Sequence, residues 1–291
     1  MIPVLARTKA GLRAARAVLP PPVVLVPTMG ALHDGHGFLL RQAAELAQPA
    51  GSVLVSIFVN PLQFGPGEDF ERYPRPLEDD MKVCAAGGAA VVFAPEPAQM
   101  YPSPQLITVS PGPMGTILEG QWRPGFFDGV LTVVLKLFEL CRPDVAVFGQ
   151  KDAQQLALVR RMTADLNLPV VIAAAPIVRD ADGLAASSRN AYLTARQRAA
   201  AASLPRALRA AAAAAAGGAA ASGVLTAARA VLDAAAAADP PLLADYLELA
   251  DPATLTAPAA DYAGPALLLA AVRLGSTRLI DNVQLTLGRR P

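Results

Sequence analysis

The chain has 291 residues, of which 25 are Lys or Arg and 24 are Asp or Glu, so its formal net charge is +1. A nearly neutral chain lacks the basic surface that binds a nucleic acid backbone, and nucleic acid is not an expected partner. Although 53% of the residues are hydrophobic, the longest uncharged run, 210–228, is mostly alanine interrupted by glycine, so we expect no membrane-spanning segment. The N-terminus has no apolar run of signal-peptide length and two cysteines are too few for a disulfide framework, which favours a cytoplasmic protein.

Short apolar runs alternate with helical patterns between Val23 and Ala174. Continuous apolar runs are typical of buried parallel strands, and their alternation with helices predicts an open α/β fold with helices on both faces of the sheet. Ligands in such folds bind at the carboxyl ends of the strands. The predicted strands are 23–26, 53–59, 90–93, 144–148 and 170–174, and the predicted helices are 38–47, 77–83, 130–140 and 153–166.

The character of the sequence changes after about residue 178. An alanine-rich region from Ala195 to Ala238 is predicted to be helical, because alanine has the highest helix propensity. Strand-like runs follow at 246–249, 266–274 and 277–282. We therefore predict two domains, a larger one over 1–178 and a smaller α+β domain over 179–291.

Both histidines of the chain, His33 and His36, lie in the sequence HDGH between a predicted strand and a predicted helix. A helix N-terminus offers backbone N–H groups and a partial positive charge that bind phosphate oxygens, and imidazoles there can stabilise charge on a transferring phosphoryl group. A metal pair is one alternative, although a metal site needs a third or fourth protein ligand and the chain has no further histidine. A surface loop with incidental histidines is the other.

Two more polar segments are candidates for phosphate binding. Gly149–Asp152 follows a predicted strand, and Lys151 would supply a positive charge to a phosphate, whereas Asp152 is better interpreted as a helix N-cap. In Ser187–Asn190, two hydroxyls and a guanidinium can bind a triphosphate, although serine and asparagine are also ordinary turn residues.

Neutral amides form a fourth group, which contains Asn60, Gln63, Gln154 and Gln155. Side-chain amides bind hydroxyls and carboxylates without adding charge. Taken singly, each glutamine is more often a solvated surface residue.

Two other groups are expected to be structural. The adjacent Asp79 and Asp80 could meet a magnesium ion, but a solvated helix face explains them better. Trp122, Phe126 and Phe127 are expected to pack in a core or an interface.

Taken together, the motifs closely resemble the pantothenate synthetase (pantoate–β-alanine ligase) family, within the HxGH nucleotidylyltransferase-like superfamily. HxGH alone is widespread, but its combination with the other motifs in this order is specific, and the resemblance extends over residues 26 to 282. The matching segments are VPTMGALHDGH, SIFVNPLQFGPGEDFERYPR, RPGFFDGV, FGQKDAQQLALVRRM, IVRDADGLAASSRNAYL and RLIDN.

The resemblance implies a Rossmann-like domain, a smaller C-terminal lid and a homodimer that uses ATP and Mg2+. Pantoate would react with ATP to give pantoyl adenylate and pyrophosphate, and β-alanine would then convert the adenylate to pantothenate and AMP. Closure of the lid would protect the adenylate from water.

The resemblance also implies roles for individual residues, with no protein metal ligand among them. The catalytic residues would be His36, usually labelled the proton donor, His33 and Lys151. Pantoate would be bound by Gln63, which would also lie near β-alanine, and by Gln155, with Asn60 as a further substrate-binding residue. The ATP-binding residues would be Met29, Gly30, Ala31, Leu32, His33, Asp34, Gly35, His36, Gly149, Gln150, Lys151, Asp152, Val178, Ala186, Ser187, Ser188 and Arg189.

One residue departs from the family pattern, because Phe126 stands where the family usually has a histidine. Two rival hypotheses remain at this point. One is a relative that adenylates a different small acid or uses a different amine, and the other is a nucleotide-binding protein without catalytic activity.

Overall fold

The structure is a computed structural model that describes residues 2–65, 68, 70–259 and 261–288. The chain divides into two compact units. The first contains Met1–Gln150 and Gln154–Pro176, and the second contains Lys151–Ala153 and Ile177–Pro291. The sequence analysis placed residues 151–153 in the larger domain, whereas the structure groups them with the second unit.

The first unit is built on a six-stranded sheet with the strand order β1-β4-β3-β2-β5-β6. All of its strand pairs are parallel, as the continuous apolar runs predicted. The strands are β1 (Val4–Ala6), β2 (Val23–Thr28), β3 (Ser52–Ile57), β4 (Ala89–Phe93), β5 (Val145–Gly149) and β6 (Val171–Ala175).

Helices cover both faces of this sheet, which is the reason that the strands are apolar on both sides. Leu25 of β2 belongs to one apolar cluster with Leu137, whereas its neighbours Val24 and Val26 belong to another with Leu40. The helices are α1 (Lys9–Ala17), α2 (Asp34–Leu46), α3 (Leu77–Ala86), α4 (Pro97–Met100), α5 (Glu119–Trp122), α6 (Phe126–Cys141) and α7 (Ala153–Asp165), with 3-10 helices at Pro61–Gln63 and Gly112–Gly115.

The second unit combines helices with a three-stranded antiparallel sheet of order β7-β8-β9. Small residues at helical spacing, such as Ala207 and Ala211, pack in its core with Val224, Ala228 and Leu268. Its elements are a 3-10 helix at Ser188–Tyr192, α8 (Ala195–Ala201), α9 (Ser203–Ala216), α10 (Ala221–Ala236), β7 (Leu243–Ala250), β8 (Gly264–Leu274) and β9 (Thr277–Leu287). The predicted fold class, a parallel α/β sheet with a smaller α+β unit, is confirmed.

The prediction that the alanine-rich region is helical is confirmed, and the structure divides it into three helices, α8 to α10. The sequence interpretation missed β1 and α1. The predicted helix start at Phe38 lies inside α2, which already begins at Asp34, so the histidine segment is the first turn of a helix. In the described part of the chain, no helix is both long enough and apolar enough to cross a membrane.

Candidate active site

Two adjacent strands end next to the polar residues that the sequence singled out. β2 pairs in parallel with β3 along its whole length, from Val23 opposite Ser52 to Thr28 opposite Ile57. The segment that leads to α2 follows β2, and the 3-10 helix Pro61–Gln63 follows β3. Both connections therefore begin at the carboxyl edge of the sheet, which is the ligand-binding edge of parallel α/β folds.

The two histidines form a capping box at the start of α2. His33 is the N-cap, and its Nδ1 accepts a hydrogen bond from the N–H of Gly35 at 3.1 Å. His36 is the third helical residue, and its Nδ1 accepts from the N–H of His33 at 3.3 Å. The ring centroids are 4.2 Å apart. Since an accepting Nδ1 carries no proton, each neutral ring carries its proton on Nε2 and presents that atom as a donor.

The backbone N–H groups before the helix are already used inside the protein. The N–H of Gly30 donates to the Thr28 hydroxyl at 3.2 Å. The N–H groups of Ala31 and Leu32 donate to the two carboxylate oxygens of Asp80 at 3.0 and 2.7 Å. These three N–H groups therefore already have protein partners, and the expectation that N–H groups at the start of the helix bind phosphate stays a prediction.

Asp80 is the residue that the sequence interpretation misjudged most. Its neighbour Asp79 is exposed and pairs with Lys82 at 2.7 Å, as expected for a solvated helix face. Asp80 is only 1% exposed. Desolvation by burial raises the pKa of its carboxyl group, although the hydrogen bonds from Leu32 and Ala31 oppose that shift. The placement of Asp80 toward the histidine turn has no signal in the local sequence.

Asn60 lies at the centre of a buried polar group that also contains Gln63 and Tyr101. Its Oδ1 accepts from the N–H of Leu62 at 3.3 Å and from the Tyr101 hydroxyl at 2.8 Å. Its Nδ2 donates to Oε1 of Gln63 and to the carbonyl of Gly129, both at 3.0 Å. An asparagine side chain has two donors and two acceptor positions, so all four are filled. Asn60 therefore orients Gln63, and its predicted role as a substrate-binding residue stays a prediction.

Gln63 is fixed in one orientation by these contacts. Because its Oε1 accepts from Asn60, its Nε2 is the atom that can serve a ligand. That Nε2 lies 3.2 Å from the thioether sulfur of Met29, a weak acceptor that an oxygen of a ligand would replace favourably. Burial raises the pKa of Tyr101, so its hydroxyl stays protonated and keeps donating to Asn60.

Arg123 supports the backbone of Gln63. Its Nη2 donates to the Gln63 carbonyl at 3.0 Å, and its guanidinium forms a two-point contact with the Glu68 carboxylate. The guanidinium carbon lies 3.7 Å from the centroid of the Phe126 ring. The residue that departs from the family pattern thus stacks on the arginine that fixes Gln63.

The three aromatic residues Trp122, Phe126 and Phe127, which were expected to pack in a core or an interface, differ in their burial. Phe127 is buried in the core, and Phe126 is partly buried against it. Trp122 is 42% exposed in the single chain, so it is not a core residue, and the alternative that it packs in an interface stays a prediction.

The two adjacent glutamines of α7 differ in environment. Gln154 is buried and donates to the carbonyls of Met114 and Ile117 while accepting from the N–H of Glu119. It therefore stabilises the α5 region, and the solvated alternative was wrong for it. Gln155 is partly exposed, as a ligand-binding residue requires.

In the second unit, hydrogen bonds fix parts of the predicted ATP-binding segments. The carbonyl of Lys151 accepts from Nδ2 of Asn282 at 2.9 Å. The N–H of Ala186 donates to the Val178 carbonyl at 2.9 Å, so these two candidates lie side by side. Asn190 is buried and donates to the Ala185 carbonyl at 3.1 Å.

Ser187 caps the 3-10 helix that follows it. Its hydroxyl accepts from the N–H of Arg189 at 3.3 Å, so part of the hydroxyl's capacity is used locally. Within the described residues, no group of three or more His, Cys, Asp or Glu side chains is placed to bind a metal ion.

The parallel sheet and the paired histidines at its carboxyl edge define an α/β enzyme of the HxGH type. A family model described as pantoate-beta-alanine ligase matches residues 4–284. The chain belongs to this family, as the resemblance in the sequence predicted, and it is an enzyme of the ligase class.

Relatives and solved structures agree with this assignment. A pantothenate synthetase of Thermobifida fusca is 60% identical, with 98% of this chain and 96% of the relative covered. Another from Acidothermus cellulolyticus is 58% identical, with 97% and 91% covered. The crystal structure of pantothenate synthetase from Thermus thermophilus has a TM-score of 0.88 at 44% identity and covers 96% of this chain and 98% of its own.

A further solved structure carries ligands. The pantoate-beta-alanine ligase of Francisella tularensis, in complex with beta-gamma ATP and beta-alanine, has a TM-score of 0.76 at 30% identity, with 97% of each chain covered.

Proposed function

We propose that this enzyme joins pantoate to β-alanine in two ATP-dependent steps. A carboxylate oxygen of pantoate attacks the α-phosphorus of ATP, and the bond to pyrophosphate breaks, which leaves pantoyl adenylate. The amine of β-alanine then attacks the acyl carbon, AMP leaves with the electron pair of the broken C–O bond, and the amine nitrogen loses a proton. The binding of beta-gamma ATP and beta-alanine by the Francisella relative supports these substrates.

The capping box is the observation that carries this proposal. It directs the protons of His33 and His36 to their Nε2 atoms, where they can donate to the oxygens of the reacting phosphate. Donors fixed before the reaction stabilise developing charge without reorganisation. Since attack by a carboxylate requires no proton removal, the histidines act first as electrostatic stabilisers.

The remaining ATP contacts are proposed from the sequence motifs. Lys151 would place its ammonium group on a phosphate, and Val178 and Ala186–Arg189 would complete the nucleotide site. The adjacency of Val178 and Ala186 supports their shared role. Magnesium would arrive bound to the triphosphate, because Mg2+ in nucleotide sites is commonly bound by substrate phosphates, and it would neutralise part of their charge.

Pantoate is assigned to Gln63 and Gln155. The fixed Nε2 of Gln63 would donate to an oxygen of pantoate, and its partners Asn60 and Tyr101 would preserve that orientation. Gln63 is buried and its amide carries no charge, so it can bind a small acid such as pantoate by hydrogen bonds without forming an ion pair.

We also propose that the enzyme works as a cytoplasmic homodimer. The free, buried cysteines Cys84 and Cys141 are compatible with a reducing compartment, and the dimer rests on the family resemblance. Sedimentation of the purified chain at micromolar concentration would reveal a monomer if the dimer is wrong.

The decisive experiment measures AMP and pyrophosphate in the presence of ATP, Mg2+, pantoate and β-alanine. We expect both products in equal amounts, and a single turnover without β-alanine should accumulate pantoyl adenylate. Pyrophosphate exchange with other hydroxy acids, but none with pantoate, would instead identify a different acid as the substrate.

A further inference from the structure

Asp80 contacts the histidine turn from a different helix. It lies on α3 and is buried beneath the segment between β2 and α2, where both of its carboxylate oxygens accept backbone hydrogen bonds. We propose that Asp80 is a positioning residue, which fixes the backbone of Ala31 and Leu32 and thereby sets the direction of the Nε2–H groups of His33 and His36. This inference rests on the proposed function for its effect on catalysis.

The backbone conformation beside Asp80 supports this role. Gly30 and Ala31 both have positive φ angles, 86° and 53°, so two consecutive residues adopt the left-handed region that an alanine rarely enters. Successive N–H groups in such turns point toward a common anion. Here that anion is Asp80, whose two oxygens are the acceptors for Ala31 and Leu32.

The turn packs closely against Asp80 and Ile57 at Gly30. A Cβ atom added to Gly30 would lie 2.9 Å from Oδ2 of Asp80 and 3.0 Å from Cγ2 of Ile57. The chain at Gly30 therefore lies directly against the carboxylate, and glycine is required there for space as well as for its φ angle. A shift of the Asp80 carboxylate would therefore move the chain at Gly30, and a shift of Gly30 would move the carboxylate.

The anchored backbone is adjacent to the catalytic side chains. Leu32, which donates to Asp80 at 2.7 Å, immediately precedes His33, and the N–H of His33 binds Nδ1 of His36. The carboxylate is thus connected to His33 through the chain at Leu32, and from His33 to the ring of His36 through one hydrogen bond. A displacement of this backbone would turn both Nε2 atoms away from the reacting phosphate, and small misplacements of catalytic groups are costly in rate.

A carboxylate suits this position better than any neutral side chain. Two N–H donors need two acceptors, and an ionised Asp provides two oxygens with no donor of its own. In Asp80→Asn, the amide nitrogen would face one of the two backbone N–H groups, so one hydrogen bond would be lost and two donors would oppose each other. The substitution keeps size and shape and removes only this complementarity.

The test compares Asp80→Asn with Asp79→Asn in the full-length enzyme. Asp79 is a matched control because it is the next residue on the same helix and its side chain is exposed. We expect Asp80→Asn to lower kcat for pantoate-dependent ATP–pyrophosphate exchange about tenfold or more per folded molecule, with KM for pantoate changed less than about threefold. Asp79→Asn should retain the kcat of the unmodified enzyme. Equal kcat values for the two variants would overturn the proposal.

Amide hydrogen exchange gives a readout that does not depend on activity. In Asp80→Asn, the N–H groups of Ala31 and Leu32 should exchange faster than in Asp79→Asn, while the strands of the sheet stay protected. Unchanged hydrogen exchange at both N–H groups would overturn the proposal about Asp80, whatever the activity of the enzyme. Absence of pyrophosphate exchange in the unmodified enzyme would instead refute the proposed function, so the two failures can be told apart.

A second variant covers the case in which Asp80→Asn does not fold. Gly30→Ala leaves the carboxylate in place and pushes the turn away from it. We expect the same loss of kcat with little change in KM for pantoate, and an unchanged kcat for Gly30→Ala would refute the positioning role.

Discussion

The histidine turn of the first unit and the polar loop of the second are fixed by different interactions. The turn, residues 29–36, depends on backbone N–H groups that donate to Asp80 and to ring nitrogens. The loop, residues 178–190, combines backbone hydrogen bonds with ion pairs between side chains at Arg179, Asp180 and Asp182. The loop therefore differs from the turn in that guanidinium–carboxylate pairs contribute to its geometry.

The ion pairs around the loop differ in their exposure. Arg179 contacts both oxygens of Asp281 at 2.7 and 3.1 Å, and the Asp281 side chain is 1% exposed. Arg198 pairs with Asp180 and Asp182 at 2.6 and 2.7 Å, and about a third of each of these side chains is exposed. Salt screens exposed pairs more than buried ones, so added salt should loosen the loop before it affects the turn.

The largest effect is expected at the turn, from His36→Ala. Loss of an imidazole that stabilises developing charge should lower the rate of pyrophosphate exchange by about 10²–10³-fold, and it should change pantoate affinity far less. Rapid-quench measurement of pantoyl adenylate checks the rate, and titration calorimetry checks the affinity.

His36→Gln separates catalysis from capping at the same position. Glutamine is the usual partner in a capping box, so this variant should keep the start of α2 while losing the imidazole. We expect it to be as slow as His36→Ala, and a return of activity would instead assign His36 a structural role.

The next effect is expected at the loop, from Asp281→Asn. The change leaves Arg179 without its ionised partner, and we expect a loss of about 2–4 kcal/mol in unfolding free energy, since removal of one partner from a buried pair costs about 3–5 kcal/mol and Arg179 is partly exposed. Urea denaturation gives the value. Asp239→Asn is the control, because the Arg196–Asp239 pair is exposed on both sides and should contribute less than about 1 kcal/mol; equal losses in both variants would contradict the comparison.

The sequence predicted the parts of this molecule that depend on neighbouring residues. Apolar runs located β2, β3 and β5 because a strand buried on both faces must be continuously apolar. The HDGH segment was located because it contains both histidines of the chain. Its helical start was missed, since a histidine capping box departs from the usual Ser or Thr followed by Glu or Gln.

The partners of the site residues could not be predicted in the same way. Asp80 lies 48 residues along the chain from Leu32, Tyr101 lies 41 from Asn60, and Arg123 lies 60 from Gln63. Only the folded sheet brings such residues together, and local periodicity contains no information about it. For that reason the sequence treated Asp80 as a solvated residue and did not reveal that Asn60 orients Gln63.

A smaller effect is expected in the first unit from Tyr101→Phe, which removes the hydroxyl that donates to Asn60. Asn60 keeps its contacts with Leu62 and Gly129, so the loss is one hydrogen bond of about 1 kcal/mol. We expect KM for pantoate to rise about fivefold, with KM for ATP unchanged. Tyr262→Phe is the control, because the Tyr262 hydroxyl makes an exposed contact with the Pro265 carbonyl, and a similar rise there would exclude a specific effect on Gln63.

The smallest effect is expected from Phe126→His, which introduces the histidine that the family resemblance leads us to expect at this position. Stacking of Arg123 on the aromatic ring is worth about 0.5–1 kcal/mol at a partly exposed site, and the guanidinium keeps its contacts with Glu68 and the Gln63 carbonyl. At pH 8 the new imidazole is neutral and still stacks, so KM for pantoate should change less than about threefold.

At pH 6 most of the new imidazole would be protonated, because an unperturbed imidazole has a pKa of about 6.5, and its charge would repel the Arg123 guanidinium. The ratio of the variant's KM to that of the unmodified enzyme should therefore increase from pH 8 to pH 6. A ratio independent of pH would show that Arg123 fixes Gln63 without help from the aromatic ring. The position of Gln63 would then depend on the Arg123–Glu68 ion pair, and this region of the first unit would resemble the loop of the second.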